Sequence, residues 1–92
     1  MKIQFPNKTS NFVFLIGVNS TEYTVKCSFN CTSNIYFAYI VDENNNKISV
    51  DTAVTVGNNI LKTTSLNATL IFQGSQDPTY KESYGWFEFE QL

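Results

Sequence analysis

The chain has 92 residues, a formal net charge of −2, 42% hydrophobic and 15% aromatic residues, and neither histidine nor arginine. That length holds one domain, residues 1–92, around a single core, and that apolar fraction excludes a disordered chain. The six basic residues are lysines spread singly along the sequence. The basic patch and guanidinium forks that nucleic-acid binding draws on are therefore missing, as is the side chain that most often serves as general base and metal ligand.

Residues 2–5 alternate polar and apolar, and Pro6 then stops ladder pairing, which predicts a short peripheral strand. Residues 12–18 are continuously apolar, the pattern of a strand buried on both faces or packed under a neighbouring loop. This run is far short of the roughly 18 residues of a membrane span. No small-residue cleavage site follows it in Asn19-Ser20-Thr21-Glu22, so a strand is expected rather than a secretion signal, in a chain made in the cytoplasm.

Residues 22–29 give the cleanest alternation, with Tyr23, Val25, Cys27 and Phe29 on one face and Thr24, Lys26 and Ser28 on the other. After a polar turn at 30–34, residues 35–41 are apolar on both faces, which predicts a central strand or one whose outer face is an interface. If Phe37 and Tyr39 face the core, Tyr36 and Ile40 form a second stripe, covered by another element or open for docking. The Asp42-Glu43-Asn44-Asn45-Asn46-Lys47 segment reads as a hairpin turn into a strand at 48–50. It lacks the alternation, central glycine and closing glutamate of a calcium loop.

Short strands are then expected at 53–56 and 60–61 around a Gly57-Asn58-Asn59 turn. Residues 66–72 place Leu66, Ala68, Leu70 and Phe72 on one face. Residues 73–85 have no period and form a loop of a length that often carries function. The last strand, 86–91, sets Phe87 and Phe89 against Trp86, Glu88 and Glu90.

Seven to nine short strands, frequent turns and no helical periodicity predict an all-β fold, a small antiparallel β-sandwich, with a small closed barrel as the alternative. In size and strand count the whole chain resembles immunoglobulin-like domains. It lacks the Cys-Trp-Cys spacing and the tyrosine corner of true immunoglobulin domains.

Cys27 and Cys31 are the only cysteines. On one straight strand their α-carbons would lie about 13 Å apart, beyond disulfide reach, so they are either a packed thiol and a turn thiol or a pair bridged across a sharp turn at Phe29-Asn30. Two cysteines without histidine fall short of a zinc site. Glu88 and Glu90 share a face about 7 Å apart, a spacing for paired carboxylates, but alternating Phe-Glu-Phe-Glu is also what a half-buried strand requires. Four glycosylation sequons start at Asn7, Asn19, Asn30 and Asn67, a mild excess over the roughly two that this Asn, Ser and Thr content gives by chance.

These features point to a non-enzymatic structural or interaction module with no cofactor, docking through an edge strand or an aromatic patch. The candidate residues are Tyr80, Tyr84 and Trp86 around the long loop and Tyr36 and Ile40 on the central strand. A low-charge sandwich made in the cytoplasm, its composition biased as in A+T-rich genomes, fits a virion accessory protein, such as an immunoglobulin-like capsid decoration protein of a tailed phage. Two alternatives remain at this point. One is a carbohydrate-binding or cell-surface adhesion module that stacks sugars on Tyr80, Tyr84 and Trp86. The other is a secreted, glycosylated eukaryotic adhesion domain with Cys27 bridged to Cys31.

Overall fold

A computed structural model describes residues 1–6, 9–79 and 85–92. Seven strands run in chain order: β1 (Lys2–Gln4), β2 (Asn11–Val18), β3 (Thr21–Asn30), β4 (Ile35–Val41), β5 (Thr52–Ala53), β6 (Ala68–Gly74) and β7 (Gly85–Gln91). They form two antiparallel sheets, a three-stranded one in the order β1-β7-β6 and a four-stranded one in the order β2-β3-β4-β5. No helix is present among the described residues, and none is long and apolar enough to cross a membrane.

Alternation fixes which side of each strand enters the space between the sheets. In β3 the polar set Thr24, Lys26 and Ser28 has to reach water, so Val25 and Cys27 turn inward and are buried. The same logic buries Ala68, Leu70 and Phe72 on β6 and Phe87 and Phe89 on β7, leaving Glu88 and Glu90 exposed. Phe5, just beyond β1, is the hub where the sheets meet. Its ring packs edge-on against Phe12 and Tyr36, each at 4.9 Å between centroids, and against Phe72 at 5.4 Å. Such edge-to-face pairs add to area burial because the positive ring edge meets a negative ring face.

The turns follow from residues that tolerate a left-handed backbone. Asn19 and Ser20, with φ of 51° and 67°, make the two-residue turn between Val18 and Thr21. Two positive φ values in succession give the twist that matches two antiparallel strands. This turn is tied to the far sheet by a reciprocal pair of bonds, from the Asn19 amide to Gln91 Oε1 at 3.1 Å and from Gln91 Nε2 to Asn19 Oδ1 at 3.0 Å. In the β4–β5 connection, Asp42 Oδ1 accepts from the amides of Asn44 and Asn46, and Asn45 takes the positive φ.

Several expectations need correction. The strand expected at 48–50 is reduced to a bridge between Val41 and Lys47, a bond from the Ile48 amide to the Ile40 carbonyl and one from the Ile40 amide to Ser49 Oγ. Buried Ser49 supplies a side-chain acceptor where a longer hairpin would offer a carbonyl. Of the strands expected at 53–56 and 60–61, the first survives as Ala53 in β5, with the Val54 amide bonded to the Tyr36 carbonyl, and the segment then crosses to the outer edge of β6. Val56 and Asn59 bridge to Phe72 and Ile71, and Ile60 and Leu61 are buried beneath.

β2 is not buried on both faces. It is the edge of its sheet, and Val13 and Leu15 are 62% and 54% exposed. The β4 stripe of Tyr36 and Ile40 also lies opposite to its expected role. The register pairs Phe29 with Tyr36, Cys27 with Ala38 and Val25 with Ile40, so Tyr36 and Ile40 share the inward face of β3 and are fully buried. Tyr36 tolerates burial because its hydroxyl donates to the Thr9 carbonyl at 2.7 Å.

Candidate functional site

Since β3 and β4 are in register, the inward turn of Tyr36, Ala38 and Ile40 sends Phe37 and Tyr39 outward. On the outer face of the four-stranded sheet one row runs Val13, Lys26, Tyr39 and the next runs Asn11, Ser28, Phe37, Ala53. Leu15 extends the apolar strip along β2. Two shallow depressions meet at Ser28 on this face. One, of about 360 Å³, is lined by Val13, Lys26 and Tyr39, and the other, of about 380 Å³, by Phe37, Cys31 and Asp51.

One charge, Lys26, lies within the first row between Val13 and Tyr39, and a charged pair stands beside the rows. The Lys47 ammonium sits 4.7 Å from the Tyr39 ring and bonds Asp51 at 2.8 Å, so it bridges an aromatic face and a carboxylate. Half-buried aromatic and aliphatic side chains with a charged margin make the composition of a protein-contact surface.

The opposite outer face is different in kind. Trp86 stands half-buried between Gln4 and Gln73, with the Lys2 ammonium 4.0 Å from its ring centroid. A sugar stacking on that ring face would have to displace the lysine. Tyr80 and Tyr84, expected to complete the platform, lie outside the described residues. Glu88 and Glu90 share this face and are exposed. Among the described residues no group of three or more Cys, Asp or Glu side chains is placed to hold a metal ion.

Cys27 and Cys31 are both free thiols, the first buried and the second exposed. Burial alone pushes the Cys27 thiol up from 9.0 to about 12, since a thiolate would lose its hydration in the core. In the unfolded chain the thiol ionises near 9.0, so the stability it contributes is fully present below that pH and is lost as pH rises toward 12. Denaturation midpoints measured from pH 8 to 11 should fall more steeply for the wild type than for Cys27→Ala, by at most about 1.4 kcal/mol per pH unit. Parallel slopes would show that the folded thiol ionises freely. In the same protein, an alkylating reagent should label Cys31 at once and Cys27 only on unfolding.

The sequence does not mark Val13 and Leu15 as exposed, and it sets Phe37 and Tyr39 toward the core rather than on this face. The available signal was parity: in β2 the three largest core candidates, Phe12, Phe14 and Ile16, alternate with Val13, Leu15 and Gly17. No protein-family model matches this chain, and no curated protein sequence matches it.

Proposed function

We propose that the chain is a non-enzymatic interaction module that docks onto a larger protein assembly through the outer face of its four-stranded sheet. The assembly is a virion, on which the chain serves as an immunoglobulin-like capsid decoration protein. The observation that carries the docking reading is the exposure of Val13 and Leu15 on the same sheet face as the half-buried rings of Phe37 and Tyr39, one strand apart across β3. Apolar and aromatic side chains supply the desolvated centre of an interface, the Lys26 stem can pack between them while its ammonium reaches water, and the Lys47–Asp51 pair supplies a polar rim. A small, weakly charged domain with a ring-rich core suits a subunit whose task is to sit rigidly on a surface. The choice of a virion rests on composition, size and the sandwich plan.

The test uses particles of the virus whose genome carries this reading frame, purified after expression of a tagged chain in infected cells. The wild-type tag should co-sediment with particles, and Leu15→Lys combined with Tyr39→Ser should lower its occupancy at least about tenfold, the loss of roughly 1.4 kcal/mol or more at one contact. A wild-type chain found only in the soluble fraction would end this reading.

A further inference from the structure

Sheet edges are where a β-sandwich can add a strand, and here they are unequal. β1 has three residues and β5 two, while the outer edge of β6 is covered by the bridges from Val56 and Asn59. β2 offers eight residues with no charged side chain, no proline and no bulge in its register to β3. Among the described residues no backbone hydrogen bond reaches its outer edge. Natural edge strands are usually protected by one of those devices.

The ladder fixes which backbone groups are open. The Phe29 amide donates to the Ser10 carbonyl at 2.7 Å, and these residues stand opposite one another in the β2–β3 register. Antiparallel pairs alternate between bonded and non-bonded, so Phe12, Phe14, Ile16 and Val18 bond to β3. Asn11, Val13, Leu15 and Gly17 therefore point their N–H and C=O groups away from the sheet. Val13 and Leu15 thus combine exposed apolar side chains with open backbone groups.

We infer that the occupant of this edge is a second copy of the chain, with β2 pairing antiparallel to β2 about a twofold axis at Phe14. Val13 then faces the second copy's Leu15, and Asn11 faces its Gly17. This register matches all four open residues to open residues, giving about eight backbone hydrogen bonds, and sliding by two residues loses a pair. A glycine opposite Asn11 leaves space for the amide side chain, since nothing lies within 4 Å of where a Gly17 Cβ would be.

Symmetry selects the orientation, because antiparallel pairing about an axis perpendicular to the sheet keeps the outer faces of both copies on the same side, whereas a parallel pair about a twofold would turn one of them over. The product is a continuous eight-stranded sheet with an isologous interface. It presents two copies of the docking face side by side. The pairing stands on β2 alone and does not depend on what that face binds.

The experiment is sedimentation equilibrium from about 1 to 500 µM on the wild type, Leu15→Lys and Val50→Lys. Val50 is also exposed but lies outside β2. The wild type and Val50→Lys should approach twice the 10.5 kDa chain mass, and Leu15→Lys should require at least about a hundredfold more protein to do so, because symmetry places the lysine in the seam twice. A wild type that stays monomeric throughout, or a Leu15→Lys variant that dimerises like the wild type, overturns the inference. A monomer that still co-sediments with particles would remove self-pairing alone, and a dimer that does not would remove the docking reading alone.

Discussion

Replacing Tyr36 with alanine is expected to cost about 3–5 kcal/mol of stability, the range for emptying a large aromatic site in a packed core. Tyr36 is fully buried and touches both halves of the sandwich, with its ring 4.9 Å from Phe5, 5.0 Å from Phe29 and 6.3 Å from Phe12. A domain of this length has roughly 5–14 kcal/mol in total, so the variant should lose between about a fifth and all of it. Tyr36→Phe keeps the ring and removes only the hydroxyl donated to the Thr9 carbonyl, and should cost about 1 kcal/mol. Urea denaturation of both variants checks this, with a lower midpoint and an unchanged slope expected for each. An alanine variant as stable as the phenylalanine variant would mean that this ring is not packed in the core. The same experiment separates core from surface, since a docking residue on an open face would lose binding and keep its stability.

The second large effect is at Gly85, opposite Gly74 at the end of the β6–β7 pair where the chain passes from one strand to the other. A Cβ there would run into the Gln73 carbonyl oxygen and come within 2.5 Å of Phe72 Cζ. The first obstacle is backbone and the second belongs to a ring at the centre of the core, so neither can swing aside. Gly85→Ala should therefore part the end of the strand pair or drive Phe72 off its rotamer, at about 3 kcal/mol or slightly more. For a domain of this size that is a fall of roughly 15 °C in melting temperature. Gly17→Ala is the matched control. Its Cβ would meet open space, and its melting temperature should stay within about 3 °C of the wild type. Equal losses at the two positions would contradict the packing described around Phe72.

What could be read from the sequence depended on whether each strand carried polar residues on one face. β3, β6 and β7 do, through Lys26, Thr69 and Glu88, and their inward faces were legible in advance. β4 does not: Tyr36, Phe37, Ala38, Tyr39 and Ile40 are all apolar or aromatic, so hydropathy cannot say which set is inside. The pairing of Cys27 with Ala38 decides it, and that pairing is a long-range fact that no local window contains. The expectation of Phe37 and Tyr39 toward the core, with Tyr36 and Ile40 as the second stripe, is therefore the reverse of the structure. The error at β2 has a similar origin. An unbroken apolar run usually marks a strand covered on both sides, and here it marks a sheet edge that nothing among the described residues covers. That place at the edge is what leaves Val13 and Leu15 exposed in an otherwise apolar run.

The sequence pattern also left the role of Trp86 undecided. Its outward direction was legible from Phe87 and Phe89, but the Lys2 ammonium over its ring comes from a strand at the other end of the chain. That contact changes an apparently open stacking platform into an occupied one.

The proposed self-pairing requires that the outer backbone edge of β2 be unpaired in the single chain. Residue-resolved amide exchange at micromolar concentration tests it most directly, because protection reports hydrogen bonding one amide at a time. Phe12, Phe14, Ile16 and Val18 bond to β3 and should exchange slowly, while Asn11, Val13, Leu15 and Gly17 should exchange orders of magnitude faster and become protected as concentration rises. Protection of all eight amides in a sample shown to be monomeric would mean that the edge is already covered within the chain, and would contradict the account.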